Sequence, residues 1–385
     1  MGVAVDDPAA NFPSVLSIKE ERGVLDLLHQ LQQYPHGTQD LDTSISSQST
    51  CPHPALVNGV CYDCRQKIEI EDAFGLEFSY LHMGLNLSHS EIHRLRCLES
   101  KKQLSQKKLH LVLDIDSTLL QSFPPKQASE LGLSKNHKDT KDLGWQVVKL
   151  RPFVLEFLEK ASAMFEMYLY TLGSRPYAEE IAEILDPQGV CFNYRIISSD
   201  DNPYRIITHH NPNGVEVKTL GFVLGEESNI LILDDNAEVW PDHVRNLILM
   251  KEFVFTGTKT DETEMNTLIL GEILEVLQTI HSLYFQQDVG CRDVRKLARE
   301  VRSNVLRGCN LYMKQVKDSE FWDVAKALGA TCCSELNSCV THLVSCETGT
   351  KDYNWGVKNK KFLVHERWIE DAYYLWQRLP EENYL

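Results

Sequence analysis

One short stretch constrains this chain more than any other: Leu109-His110-Leu111-Val112-Leu113, followed at once by Asp114-Ile115-Asp116-Ser117-Thr118. A brief apolar run with polar residues directly behind it reads as a buried strand. In an open parallel α/β sheet, ligands gather in the crevice beyond the carboxyl ends of the strands. Alternate residues leaving such a strand both turn toward that crevice, and two carboxylates there repel unless a cation or a proton compensates them. The pattern recurs. Asn229–Leu233 is followed by Asp234-Asp235, and Met167–Tyr170 by Thr171-Leu172-Gly173-Ser174. Between them the spacing predicts amphipathic helices at Phe153–Ala163 and Pro176–Leu185, so 109–257 is expected to be an α/β unit with a parallel sheet.

Converging carboxylates at strand ends suit Mg²⁺, which takes oxygen ligands, waters and substrate phosphate. The Thr171 hydroxyl and nearby amides suit a phosphate oxygen beside a helix start, and Lys218 offers a positive charge. Taken singly, each residue reads as a cap, a turn or a solvated side chain. Their order along the chain points to a phosphoryl site. Composition narrows the class further. Lys and Arg number 39 against 55 Asp and Glu, a net charge of −16, which disfavours a broad basic face for nucleic acid. No uninterrupted apolar run approaches the roughly 20 residues of a membrane span. The start, Met1 to Asp6, resembles neither a secretory signal nor a myristoylation site. Eleven scattered cysteines suit a reduced compartment better than a disulfide framework.

Leu111–Leu120 resembles the first motif of the haloacid dehalogenase superfamily in its FCP/SCP branch, phosphatases of the RNA polymerase II C-terminal domain. The likeness continues through Lys149–Phe153, Phe165–Thr171, Asp186-Pro187, Arg195–Ser198, Lys218–Leu220 and Leu233–Pro241. The resemblance implies a haloacid-dehalogenase-like catalytic domain with a Rossmann-type parallel sheet over 109–257. It also implies an aspartyl-phosphate mechanism. Asp114 would be the nucleophile and Asp116 the general acid and base, with Thr171 and Lys218 orienting and neutralising the phosphoryl group. Asp114, Asp235 and the backbone carbonyl of Asp116 would hold Mg²⁺ (or Mn²⁺ or Co²⁺ in its place), with Asp234 in support. Arg151 is a candidate contact to substrate or an ion-pair partner within the fold. Ser199 stands where the family often has Arg.

Gly308–Tyr312, Leu328–Ala330, Val340–Val344 and Trp368-Ile369 resemble a BRCT domain, a small α/β unit over 300–385. Trp368 is expected in its core, and Cys332-Cys333 in a strand. The residue before Gly308 is Arg307 rather than Ser or Thr, so this domain is expected to bind partner proteins without requiring phosphorylation. The implied function is a nuclear protein serine phosphatase acting on the phosphorylated polymerase tail, with the transcription machinery as partner through the BRCT domain. Another phosphoprotein substrate, or a non-catalytic adaptor role, is the alternative.

Three further regions complete the reading. Residues 1–50 are expected to be mostly disordered, with one helix near Ser14–Gln33. Within 51–108, Ser88 and Glu91 form a capping-box pattern that opens a helix to about Gln106. Cys51, His53, Cys61 and Cys64 offer thiolates and an imidazole for a structural zinc ion, with simple thiols as the alternative. The stretch 258–299 is expected to be a helical connector. Lys251, past the last core strand, is expected to face solvent.

Overall fold

The computed structural model describes residues 51–69, 74–133, 139–193, 195–201, 216–257, 264–313, 320–345 and 347–385. The helix expected near Ser14–Gln33, and the whole of 1–50, lie outside the described residues.

The first unit holds β1 (Ala55–Val57), β2 (Val60–Cys61), β3 (Gly75–Glu77) and β4 (Leu85–Ser88), then helix α1 (His89–Gln106). Its antiparallel sheet has the order β2-β1-β4-β3. Ser88 caps α1, its Oγ accepting from the Glu91 N–H at 3.2 Å. Only half of the capping box forms, because the Ser88 N–H is spent on the Pro54 carbonyl and the Glu91 carboxylate on Arg94.

The second unit follows with β5 (Leu109–Leu113), an insertion of β6 (Leu120–Phe123), α2 (Pro125–Glu130), β7 (Thr140–Asp142) and β8 (Val147–Leu150), then α3 (Val154–Ser162). Next come β9 (Phe165–Tyr170), α4 (Arg175–Leu185), β10 (Ile196–Ile197), β11 (Ile230–Asp234), β12 (Leu247–Leu249), α5 (Glu264–Gln286) and α6 (Val294–Arg302). The central sheet is parallel throughout, in the order β10-β9-β5-β11-β12. The last unit comprises β13 (Asn310–Tyr312), α7 (Glu320–Ala327), β14 (Thr331–Cys333), β15 (His342–Val344), α8 (Lys351–Lys358), β16 (Phe362–Val364) and α9 (Arg367–Leu375), around the parallel sheet β14-β13-β15-β16. Trp368 is fully buried there, as expected.

Alternation along a strand sends successive side chains to opposite faces. Leu111, Leu113, Met167, Leu169, Leu231 and Leu233 face one way, into a core with α3, α4 and α5. Val112, Tyr168, Tyr170, Ile230 and Ile232 face the other, against Ala55, Phe78, Leu85, Leu87 and Leu95 of the first unit. The first unit therefore packs on the second face of the central sheet, together with Leu220, Phe222, Val239 and Trp240.

Two expectations are corrected. The connector is no connector: Ile269, Leu270, Ile273, Leu277 and Ile280 of α5 are buried in the sheet's main core. Leu268–Gln286 is long and apolar enough by composition to cross a membrane, but that apolarity is used against the strands. Lys251 does not face open solvent. Its ammonium reaches Asp371 Oδ1 at 3.3 Å and Glu370 at 3.6 Å, because α9 docks there and carries Leu375 and Trp376 into the catalytic core. Leu277→Ala is expected to lower the unfolding free energy by about 2–5 kcal/mol. Leu268→Ala, on the exposed side of α5, should stay within about 0.5 kcal/mol. Urea titration of the two variants checks this, and equal effects would place the helix outside the core.

Candidate active site

The parallel register sets Leu113 of β5 level with Leu233 of β11. Asp114 leaves β5 with its N–H still donated to the Leu233 carbonyl at 3.0 Å, so it stands beside Asp234, the last residue of β11. Lys218 enters from the chain before β11, pinned by its N–H to the Val239 carbonyl at 2.7 Å. Lys218 is 3% exposed, and its ammonium donates to Asp114 Oδ1 at 2.5 Å and to Asp234 Oδ2 at 2.6 Å. The rings of Tyr170 and Trp240 each lie with their centroids 5.8 Å from it. Trp240 Nε1 also donates to Asp234 Oδ2 at 2.8 Å, and the Asn236 N–H to Oδ1 at 2.9 Å.

Burial works against charge on Lys218, but Asp114 and Asp234 outweigh it and hold the ammonium above its ordinary pKa. Burial pushes the Asp114 carboxyl up to about 7, with Lys218 pulling it down and Asp234 pushing it further up. One cation therefore serves two buried carboxylates.

Asp116, two residues on, lies open to solvent at the mouth of the site. Its Oδ1 accepts from the Tyr177 hydroxyl at 2.6 Å, and Ser122 Oγ sits 2.9 Å from that hydroxyl. Partial burial raises the Asp116 carboxyl above its usual range, against the pull of Tyr177. Nothing in the sequence reading pointed to Tyr177; its place on an amphipathic helix made it a core residue by pattern.

Asp235 follows β11, its N–H donating to Thr118 Oγ1 at 3.0 Å and its Oδ1 accepting from that hydroxyl at 3.1 Å. Ligand atoms of Asp114, Asp234 and Asp235 all lie within 4.8 Å of one another. Both oxygens of Asp234 are committed inside the protein. Among the described residues, Asp114 Oδ2 and Asp235 Oδ2 carry no hydrogen bond. Two hard oxygens aimed at one place, with a third carboxylate behind them, fit a divalent cation of the Mg²⁺ kind.

Thr171 is buried at the end of β9, where its Oγ1 accepts from the Gly173 N–H at 2.9 Å. Ser199, the departure from the family pattern, pins the same loop: its N–H and Oγ each reach the Gly173 carbonyl at 3.0 Å. The guanidinium beside it belongs to Arg175, which pairs with buried Asp201 and the Ile196 carbonyl. Arg151 is 1% exposed and touches no open surface. It donates to the Ser117 and Lys251 carbonyls, at 3.1 and 2.5 Å, and lies over the Phe253 ring. Its partners are carbonyls rather than carboxylates, and its Nε and Nη1 are buried without a hydrogen-bond partner among the described residues. Ser117 sits in the left-handed region, at φ 61°, so Arg151 braces the turn that carries Asp116. Cys51, His53, Cys61 and Cys64 also come together, in the first unit.

Strand-end carboxylates around a buried lysine, on a parallel sheet with a small insertion after the first strand, define a phosphatase of the haloacid-dehalogenase-like fold, here joined to a BRCT domain. The family model for NLI interacting factor-like phosphatases matches residues 109–289, and that for BRCT domains residues 301–373. The chain is 36% identical to RNA polymerase II C-terminal domain phosphatase-like 4 of Arabidopsis thaliana, across 90% of this chain and 84% of that protein. It is 31% identical to phosphatase-like 3 of the same plant, across 98% of this chain and 32% of that protein. The solved structure of Fcp1, an essential RNA polymerase II CTD phosphatase, shares the fold with a TM-score of 0.58 at 22% identity, covering 76% of this chain and 99% of that one. This chain belongs to the RNA polymerase II C-terminal domain phosphatase-like family.

Removing the shared cation should expose the cost of the two carboxylates. In Lys218→Met, the Asp114 carboxyl, already raised by burial, loses the cation that pulls it down, so stability is present at low pH and is lost as pH rises. The variant is expected to lose about 3–5 kcal/mol relative to the parent near pH 8 and much less near pH 5. Urea unfolding with chelator present at both pH values measures it; a loss independent of pH would contradict the triad.

Proposed function

We propose that this protein is a Mg²⁺-dependent serine phosphatase of the phosphorylated heptad repeats of the RNA polymerase II C-terminal domain, acting in the nucleus. The observation that carries the chemistry is the Lys218 ammonium locked onto Asp114, with Asp116 two residues on and held by Tyr177. The names of the relatives supply the substrate, and the fold is consistent with it. The insertion between β5 and α3 is a three-stranded sheet with one short helix, and it leaves Asp116 open to solvent, as an extended peptide requires.

In this mechanism an Asp114 carboxylate oxygen attacks phosphorus and the bond to the serine oxygen breaks. Asp116, its carboxyl raised above the usual carboxylate range by burial, gives its proton to the departing serine oxygen. Asp116 then takes a proton from water, whose oxygen attacks phosphorus, and the phosphorus–Asp114 bond breaks to release inorganic phosphate and free Asp114. Lys218 neutralises charge beside the nucleophile, and Thr171 at the end of β9 faces the transferring group. Asp114, Asp235 and the Asp116 carbonyl, with Asp234 behind, would hold a divalent cation, which would supply charge compensation to the phosphoryl group. Positioning and charge compensation dominate such reactions. In this reading the catalytic unit includes 51–106 and α5–α6, and residues beyond 306 bind partner proteins through exposed surface. Arg307, before Gly308, is exposed and, among the described residues, bonds to Asn304.

Asp114→Asn and Asp116→Asn are each expected to lower turnover by ~10³-fold or more, with folding intact. Lys218→Ala should cost ~10²-fold, and Lys251→Ala little, since Lys251 serves the site through its backbone carbonyl. Phosphate release from p-nitrophenyl phosphate, and from heptad peptides carrying one phosphoserine, with and without Mg²⁺, is the assay. Near-parental turnover by Asp114→Asn would falsify the covalent route.

A further inference from the structure

The four N-terminal ligands lie outside the phosphatase site, and their geometry has its own logic. Asn58 and Gly59 both have positive φ, 50° and 77°, the two-residue turn that matches the twist of a hairpin. It sets Val57 opposite Val60 and Leu56 opposite Cys61. Beyond β2 the chain folds back again: the Arg65 N–H reaches the Cys61 carbonyl at 3.1 Å, and the Cys61 N–H reaches the Gln66 carbonyl at 2.9 Å. This second turn returns Cys64 to the hairpin's open end. From the other side, His53 adopts φ 48° immediately before Pro54, a conformation that residues preceding proline avoid. It brings His53 Nδ1 to 3.4 Å from Cys64 Sγ.

We propose that Cys51, His53, Cys61 and Cys64 form a structural zinc site that closes the β1–β2 hairpin against the catalytic sheet. Zinc bound tetrahedrally at about 2.3 Å to sulfur and 2.0–2.1 Å to nitrogen separates two sulfurs by about 3.8 Å, and a sulfur from a nitrogen by about 3.6 Å. Cys51 Sγ and Cys61 Sγ are 3.8 Å apart, and all four ligand atoms fall within 4.8 Å of one another. A disulfide would need the sulfurs at about 2.05 Å, and all four cysteine and histidine partners brought to one point exceed what a single bridge explains. The His53 N–H donates to Cys51 Sγ at 3.4 Å, a bond that strengthens when the sulfur is a thiolate. Three soft sulfurs and an imidazole select zinc over the hard cation that suits Asp114 and Asp235, so the two sites are chemically independent.

The hairpin also needs such a closure. β4 holds β1 from one side, but β2, with 2 residues, is an edge strand joined to β1 by two residue pairs alone. Ala55 of β1 belongs to the same buried cluster as Tyr168, Tyr170 and Trp240, the last of which donates to Asp234. An ion tying the residues before β1 to those after β2 fixes the strand that covers this face.

The test uses the full chain, purified under reducing conditions without chelator, with metal content measured by mass spectrometry. About one zinc per chain is expected in the parent, in Cys97→Ser and in Asp235→Asn, and below about 0.2 in Cys64→Ser and Cys61→Ser. Should the serine variants fail to fold, Co²⁺ added to the metal-stripped parent gives the second reading: the intense visible bands of tetrahedral thiolate coordination at one equivalent. Zinc below about 0.2 per parent chain together with no such bands, unchanged zinc in folded Cys64→Ser, or a Cys51–Cys61 disulfide in the peptide map would overturn the site.

Discussion

A lysine ammonium buried between two aspartates is the interaction around which the rest is arranged. A cation withdrawn from water is stable only if paired with good geometry, and Lys218 finds one carboxylate from each of two neighbouring strands. That requirement places the ends of β5 and β11 at one level, brings the segment before β11 back across them, and walls the charge with Tyr170 and Trp240. Asp114 then carries opposed influences, burial and Asp234 against Lys218, that leave its carboxyl near neutrality. In the proposed reading, a divalent cation beside it would tip it into the ionised form.

Holding that constellation takes both faces of the sheet. On one face α3, α4 and α5 pack; on the other lies the N-terminal unit, whose contribution is apolar bulk: Phe78, Leu85 and Leu87. The BRCT domain joins the first face through Leu375 and Trp376. A line of contacts also runs from it toward the site. Asp371, which accepts from the Tyr384 hydroxyl, meets the Lys251 ammonium; the Lys251 carbonyl accepts from Arg151, and Arg151 holds the Ser117 carbonyl. The domain expected to bind partners is thus in structural contact with the turn that carries Asp116.

The strand ends were legible because a buried parallel strand is a short apolar run with nothing else to announce, and the polar residue after it has few reasons to be there. Asp114, Asp116, Asp234 and Asp235 stand out that way: β5 has its expected bounds, β9 starts two residues earlier and β11 is shifted by one. Partners were harder to read. Periodicity assigns a face, not a neighbour, so α5 looked like a charged connector although its apolar stripe completes the core. Tyr177 reads as one more apolar position, and only the fold shows its hydroxyl on Asp116. Arg151 and Lys251 illustrate the converse: a charged residue in sequence says nothing of whether another domain or a row of carbonyls will cover it.

The central claim is that Asp114, held by Lys218, becomes covalently phosphorylated. The direct measurement is a rapid acid quench of the protein during turnover of a phosphoserine heptad peptide, reduction of acyl phosphate with borohydride, and peptide mapping by mass spectrometry. The account predicts reduction at Asp114 alone, converting it to homoserine, and none in protein quenched without substrate. Active protein with no reduced aspartate, or with reduction at Asp116, Asp234 or Asp235 instead, would contradict it.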